Sequence, residues 1–434
     1  MSSYPVNALA MPLSLEQSTA SGDITESGDI IQARYILNRL FQDYPVAFAV
    51  RLWNGSMLTI GDGAPAFTFC LEQASVLRDM VWFSNPKRLV EAYCSGEVQI
   101  QGDFHAAMQL REHFESLSLP LHEKLGLVFR ALTLANNQQV LPEHTAHTPQ
   151  SPTQSQSASV PSSHGIALSY DVPEDFYQRW LGEQMLHSCA YFASPTHTLA
   201  QAQQTQLTLI CQKLHLQHGD TLLDIACGWG TLACWAAKHY GVFVHGITHN
   251  PTQYAYALKQ VQQQGLTHLV KIELADYRTL PALGSYDKAA CISIADHLGA
   301  AHYPDFLAKV HAALKPGGLF LSHVITAENP AGQQDASTAF INRQLYPAGE
   351  LTSFAHLLQH MDSARFDVFN VEGLRRHYVM TLRQWLANLE AQHASIAASM
   401  GERTYRIWRL AMTASAIQFE QGVTGMHQML ATRR

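Results

Sequence analysis

Hydrophobic and polar positions divide the chain into two differently patterned regions. In the first, Val46–Leu52, Met57–Ile60, Phe67–Leu71 and Val98–Ile100 are short apolar runs, with Asn54-Gly55 and Gly61-Asp62-Gly63 between them. Runs of this length bounded by Gly and Asn predict strands joined by tight turns. Lys87–Cys94 and His105–Phe114 read as helices, so the region is predicted to be a small α+β domain over residues 31–140. In the second region strands and helices alternate. Thr221–Ile225, Val242–Thr248, Val270–Leu274, Lys288–Ile294 and Leu319–Ile325 read as strands. Helices are predicted from the glycines after Ile225 through Ala237, over Pro251–Gln264 and over Tyr303–Leu314, and Lys315-Pro316-Gly317-Gly318 reads as a turn into a strand. That order predicts an α/β fold with a doubly wound parallel sheet over residues 164–434. Residues 141–163 are dominated by Pro, Ser, Thr and Gln and are expected to be a linker; residues 1–30 are expected to be a disordered tail.

Composition narrows the function classes. The chain has 434 residues, 47% of them hydrophobic, and a net charge of −7. Its size suits two domains, and its acidic balance argues against a nucleic-acid partner. No apolar run approaches the ~20 residues of a membrane-spanning helix. The N-terminal stretch lacks the basic start and apolar core of a signal peptide, so the expected location is cytoplasmic. A membrane lipid would have to be met from the inner face of the membrane, by peripheral association. The seven cysteines include no CxxC pair, and the 23 histidines include no HExxH. Reduced core cysteines and no metal are expected.

The motif richest in chemistry is Leu222-Leu223-Asp224-Ile225-Ala226-Cys227-Gly228-Trp229-Gly230. An apolar strand ends beside Asp224, and glycines open the next helix, where backbone can approach a ligand closely. A dinucleotide-binding GxGxxG is absent, and Thr248-His249-Asn250 stands where such a fold places an acid. Taken alone, the turn is also compatible with a purely structural role.

The stretch from Thr221 to Gly230 resembles the S-adenosylmethionine loop of the cyclopropane-fatty-acid and mycolic-acid cyclopropane synthases. The resemblance extends along nearly the whole chain. It takes in Tyr170-Asp171 to Asp175-Phe176-Tyr177, Ser188-Cys189-Ala190-Tyr191-Phe192, Tyr240-Gly241-Val242, Asp276-Tyr277-Arg278 and Leu314-Lys315-Pro316-Gly317-Gly318. Arg376-His377-Tyr378 with Thr381-Leu382 and Trp385 continues it, and residues 31–140, including Gly96 to Gly102-Asp103, are similar to the sterol-carrier-like domain of the full-length synthases. The resemblance implies a class I methyltransferase, Rossmann-like, with a helical lid formed partly by 340–351 and the C-terminal helices. Trp385 and Trp408 are expected to help enclose an acyl tunnel. It also implies a homodimer paired through the N-terminal domain.

By the same resemblance the cofactor lies against Asp224, Cys227, Gly228 and Gly230. Ribose and methionine contacts fall near Thr248 and Gln253, and adenine near Asp276 and Tyr277. His187, where the family has Tyr, and Ser188 complete the pocket; Ala226 replaces the first loop glycine. The implied reaction is methyl transfer to the double bond of an unsaturated phospholipid acyl chain, closed to a cyclopropane with bound bicarbonate as base. The implied bicarbonate cluster is Cys189, Asp296, His323, Ile325 and Tyr378, with Asp296 replacing the family's Glu and therefore about an ångström shorter in reach.

Methylating an alkene needs water excluded and the carbocation stabilised, a task suited to aromatic faces. Tyr191, Phe192, Tyr346, Tyr378 and Trp408 are candidates, each with a competing reading as a plain core residue. Cys189 is not expected to act as a nucleophile, because the reaction needs no covalent enzyme intermediate. Three other readings stay open. One is methylation without ring closure, giving a branched or methylene lipid, which Asp296, His187 and the surroundings of Ala295 keep open. Another is small-molecule N- or C-methylation, against which the N-terminal domain speaks. The last is a silent lipid-binding protein, against which Asp224, His323 and Tyr378 speak.

Overall fold

The computed structural model describes residues 27–83, 86–134, 172–280, 284–292, 298, 300–327 and 351–434. The expected linker over 141–163, the segment holding Asp296, Tyr346, and the lid stretch up to residue 350 lie outside them, as do residues 1–26 of the expected tail.

Helix α1 (Gly28–Leu40) begins inside the stretch expected to be tail. Ile30, Ala33, Ile36, Leu37 and Leu40 recur at helical spacing and are all buried. They cover a four-stranded sheet of β1 (Phe48–Arg51), β2 (Met57–Ile60), β3 (Phe67–Leu71) and β4 (Val98–Gly102), in the order β2-β1-β3-β4. Helices α2 (Ala74–Phe83) and α3 (Pro86–Ser95) join β3 to β4. The helix expected over 105–114 is two helices, α4 (Phe104–Met108) and α5 (Leu110–Ser116), which meet at Gln109. Helix α6 (Leu121–Leu132) packs back on α1 and α2.

The second sheet has seven strands in the order β10-β11-β9-β8-β5-β6-β7. The strands are β5 (Thr221–Ile225), β6 (Phe243–Thr248), β7 (Val270–Leu274), β8 (Tyr286–Ile292), β9 (Leu314–Ala327), β10 (Phe366–Gly373) and β11 (Thr424–Arg433). Strands β5 to β9 are parallel, but β11 runs antiparallel to both β9 and β10. The expectation of a wholly parallel sheet is therefore corrected to a mixed one. The chain leaves β10 through three helices, and β11 then enters between β10 and β9 in the reverse direction. The turn expected at 315–318 is absorbed into β9 as a bulge: Tyr286 faces Leu314, but Lys288 faces Leu319. Gly317 supplies the positive φ of +72° there.

Helices α8 (Leu199–Lys213), α9 (Thr231–Tyr240), α10 (Pro251–Gln263), α11 (Tyr303–Ala313) and α12 (Phe354–Ser363) flank this sheet. The chain order reverses at β5, which lies between β6 and β8. In open α/β sheets ligands bind outside the carboxyl ends of the strands at such a switch point. Above it sits a helical cap of α7 (Glu174–Leu181), α13 (Arg375–Ala391), α14 (His393–Met400) and α15 (Glu402–Gln421). Trp180 packs at 5.5 Å from Trp385 and 5.3 Å from Trp408, so both of the tryptophans expected around a tunnel are packed into the body of the cap.

Helix α15 also joins the two regions. Arg406 donates to the carbonyls of Tyr93 and Val98 at 2.9 and 3.1 Å, and the Arg409 guanidinium lies 4.1 Å from the Phe104 ring centre. Ile407 and Leu410 pack with Tyr93, Cys94 and Phe104, and His105 meets Glu420 at 2.8 Å. Among the described residues no helix is long and apolar enough to cross a membrane, and no cluster of three potential metal ligands occurs.

Candidate active site

Asp224 lies near the end of β5, hydrogen-bonded through its backbone between β6 and β8. Its carboxyl is 2% exposed, and Oδ2 has no partner among the described residues. Burial alone pushes its pKa up to about 7. The loop that follows is tightly constrained. Ala226 has φ +58° and Gly230 φ +80°. A Cβ on Gly230 would sit 2.8 Å from the Cβ of Ala257 on α10, so only glycine lets the loop pack there. Cys227 donates its backbone N–H to Ile247 at 2.9 Å, tying the loop to the end of β6.

Beyond β6, Thr248 Oγ1 donates to Gln253 Oε1 at 3.2 Å, and Asn250 caps α10 with Pro251 behind it. Thr248 forms one wall of an open cavity of about 850 Å³ together with Ile225, Ala226, His249, Asp276 and Tyr277. Its opposite wall is α11, with Asp305, Ala308 and Lys309. A cavity this size suits a nucleoside-sized ligand. Thr248, Asp276 and Tyr277 thus face one space. Asp276 is also engaged locally: its carboxylate takes both Nε and Nη2 of Arg278, at 2.8 and 2.7 Å, which holds its pKa down. Cys227, Gly228, Gly230 and Gln253 shape the loop and its support rather than the cavity wall.

The segment His187-Ser188-Cys189-Ala190-Tyr191-Phe192 crosses beside this loop and is pinned to α13. Ala190 N–H donates to Thr381 Oγ1 at 3.0 Å, and Phe192 N–H donates to His377 Nδ1 at 3.1 Å. That accounts for the His377 and Thr381 positions of the sequence motif: they hold the strand of site residues in place. His187 stands among Tyr177, Trp180 and Trp385, with ring centres 5.5–5.7 Å away. Ser188 Oγ is buried without a partner among the described residues. The Cys189 thiol is fully buried, and desolvation drives its pKa far up, so it is held as a neutral thiol. All seven cysteines are free and buried.

Cys189, Ile325 and Tyr378 belong to one apolar cluster with Trp385, Phe419 and Met426. His323 and Ile325 are two residues apart on β9, so both side chains leave the same face of the sheet. His323 is fully buried, with its pKa pushed down to about 3 by burial and by the nearby charge of Lys213. Four of the five residues expected in the anion cluster are thereby placed in this part of the fold; Asp296 lies outside the described residues. Of the aromatic candidates, Tyr191 stacks on His377 at 4.2 Å, and Tyr378 meets Phe419 edge-on at 4.8 Å. Trp408 packs against Phe176 and Trp180, which favours its reading as a core residue. Sequence reasoning missed Gln206 and Gln428, whose amides both reach His323 at 3.3 Å. A signal existed for Gln206: it falls among Leu199, Ala202, Leu207 and Ile210 on the buried face of α8.

A model of the family described as Mycolic acid cyclopropane synthetase matches residues 158–429. The chain is 33% identical over 394 residues to a protein of Pseudomonas putida named "Probable fatty acid methyltransferase", covering 90% of this chain and 93% of that one. It is 33% identical over 259 residues to sphingolipid C9-methyltransferase A of Emericella nidulans, covering 58% of this chain and half of that one. Among solved structures, the mycolic acid cyclopropane synthase CmaA1 complexed with SAH and CTAB is similar with a TM-score of 0.57 and 28% identity. That match covers 61% of this chain and 95% of CmaA1.

Proposed function

The chain belongs to the mycolic acid cyclopropane synthetase family, and from that premise we propose that this S-adenosylmethionine-dependent, lipid-acyl methyltransferase converts an unsaturated phospholipid acyl chain to a cyclopropane with bicarbonate as base. The observation that carries the reading is a set of buried polar atoms without partners among the described residues. Asp224 Oδ2 and Ser188 Oγ lie in segments expected to hold the cofactor, and His323 Nε2 lies in the expected anion cluster. Buried polar groups are nearly always paired, and a ligand reaching these three atoms would supply the missing partners.

The residues fit S-adenosylmethionine. The glycine-built loop brings backbone to the cofactor, Asp224 offers a carboxyl to its cationic methionyl end or its hydroxyls, and the wall of Thr248, Asp276 and Tyr277 takes its nucleoside. When bound, S-adenosylmethionine supplies an electrophilic methyl group, and bicarbonate supplies the acceptor for the proton whose loss closes the three-membered ring. Around them Cys189, Ile325 and Tyr378 form an apolar, water-excluding wall. His323, neutral at working pH, can donate one hydrogen bond but cannot serve as the acid or base. The Cys189 thiol, buried and neutral, serves packing rather than attack. Asp296 is assigned the orientation of the anion.

We place the enzyme in the cytoplasm, at the inner face of the membrane, as a homodimer paired through a sterol-carrier-like N-terminal domain. In support, α6 turns Leu121, Leu125, Phe129 and Leu132 outward on one side, an apolar stripe unusual for a helix facing only water. The CTAB in the CmaA1 complex carries a long alkyl chain, in keeping with an acyl substrate.

The test is expression in a host without such an enzyme, followed by mass spectrometry and proton NMR of the lipids. A gain of one methylene with upfield cyclopropane protons is expected, and Asp296→Ala should cut turnover at least about tenfold. The second reading, methylation without ring closure, is favoured by Asp296 standing where the family has Glu and by the methyltransferase names of the relatives. Olefinic methylene or methyl-branch signals in place of the cyclopropane would establish it.

A further inference from the structure

A line of polar side chains runs from the protein surface to the buried His323. Glu372 on β10 and Gln428 on β11 both accept from the Lys213 ammonium at the end of α8. Gln428 is the direct cross-strand neighbour of His323, and its side-chain nitrogen lies 3.3 Å from His323 Nδ1. Gln206, about two turns before Lys213 on α8, brings its own amide nitrogen to the same Nδ1 at 3.3 Å. Gln206, Gln428 and His323 are all buried.

The direction of this line follows from donor and acceptor inventories. An ammonium can only donate, so the Gln428 atom facing Lys213 is its oxygen. The amide group facing His323 is then NH2, which has no lone pair to offer. Nδ1 must therefore be the acceptor, and the single proton of a neutral ring must sit on Nε2. An imidazolium would set an Nδ1–H against the Gln428 NH2 group and is disfavoured by the same geometry. Nε2 has no partner among the described residues.

We infer that Lys213, Gln428 and Gln206 are positioning residues that lock His323 in the Nε2–H tautomer, so that its one proton is presented to the anion of the active site. Naming that anion as bicarbonate rests on the function proposed above. Lys213 is the key member, because without it the Gln428 amide is free to turn over and offer oxygen to Nδ1. Glu372 holds Lys213 in place from the surface side.

The test uses the full-length protein with 15N-labelled histidine rings. The His323 signals are identified by their loss in His323→Asn. The wild-type ring is expected to show protonated Nε2 and unprotonated Nδ1 at neutral pH. Lys213→Met should mix the two tautomers, and Lys213→Arg should restore one. Gln428→Met, which removes the locked amide altogether, should give the same mixing and guards against a folding defect peculiar to position 213. In turnover assays with sodium bicarbonate, Lys213→Met should raise the half-saturating concentration at least about tenfold, the scale for losing an outer partner that orients a histidine. S-adenosylmethionine affinity should stay unchanged. Protonation at Nδ1 in the wild type, or a tautomer that ignores both Lys213→Met and Gln428→Met, would overturn the inference. A tautomer that shifts as expected while bicarbonate affects neither protein would overturn the bicarbonate reading and leave the lock standing.

Discussion

Replacing Asp224 by Asn removes one ionisable group and almost no volume. The wild-type carboxyl has a pKa of about 7 in the fold, against an ordinary value of 3.8, and its environment is dry. The raised value means that the folded protein holds this proton where the unfolded chain has already lost it. Below pH 4 both states are protonated and the group costs nothing. Between pH 4 and 7 the cost of burying it grows by about 1.4 kcal/mol per unit, reaching roughly 4 kcal/mol, and above pH 7 it stays constant. Asn carries no such cost. Without cofactor, Asp224→Asn should therefore gain on the wild type as pH rises from 5 to 8, by roughly 2–3 kcal/mol, and gain nothing further above that.

Cofactor should close most of that gap. If Asp224 serves the cofactor as a carboxylate, wild-type affinity rises with pH up to about 7 and then levels, whereas Asn has no such limb. A ligand at a hundred times its dissociation constant adds about 2.7 kcal/mol of apparent stability, which the wild type receives and the variant largely loses. The assay is urea unfolding of both proteins at pH 5 and pH 8, with and without S-adenosylmethionine, beside calorimetric titration. A stability difference that does not move with pH, or equal cofactor affinity in the two proteins, would refute the reasoning.

Two further changes test the loop and the thiol. Ala226 holds a left-handed φ that costs a side chain about 1–2 kcal/mol, so Ala226→Gly should stabilise slightly; Gly230→Ala, whose new Cβ meets Ala257 at 2.8 Å, should destabilise by roughly 1–3 kcal/mol. Thermal unfolding of the pair should show opposite signs. Cys189 should resist alkylation in the native protein, and Cys189→Ser should keep turnover within about tenfold; a loss of three or more orders of magnitude in a folded Cys189→Ser protein would point to a nucleophilic thiol after all.

The parts of the fold set by local pattern were readable in the sequence. Strands β2, β3, β5 and β7 fall on the residues their apolar runs predict, because each run is closed by its own turn residues. The glycine loop was readable for the same reason: its spacing is local. Strands β10 and β11 were not predicted, since what makes them strands is pairing with each other and with β9, a contact about a hundred residues distant in sequence. The break at Gln109 was equally invisible, because nothing in the residue types there forbids a continuous helix. Gln428 acquires its role only from that unpredicted register, which sets it across from His323. The proposed positioning residues were therefore hidden where the candidate site residues were not.

That difference follows from what each group needs. Asp224, Ser188 and His323 bury polar atoms that the described protein does not satisfy, and an unsatisfied buried group costs about 1–3 kcal/mol. Three of them cost several kilocalories per mole in the free protein, a large share of the 5–15 kcal/mol that keeps a typical protein folded. Packing offers no reason for such residues, so they stand out in a sequence as polar types in apolar runs: Asp224 after Leu222-Leu223, and His323 between Phe320-Leu321 and Val324-Ile325. On the proposed function, ligand binding would return the cost by pairing each atom, which would make the bound protein the better-satisfied one. The residues that orient them carry no such deficit. Lys213 pairs with Gln428, and Gln428 and Gln206 meet the ring, and so they read in the sequence as ordinary polar positions until the sheet places them together.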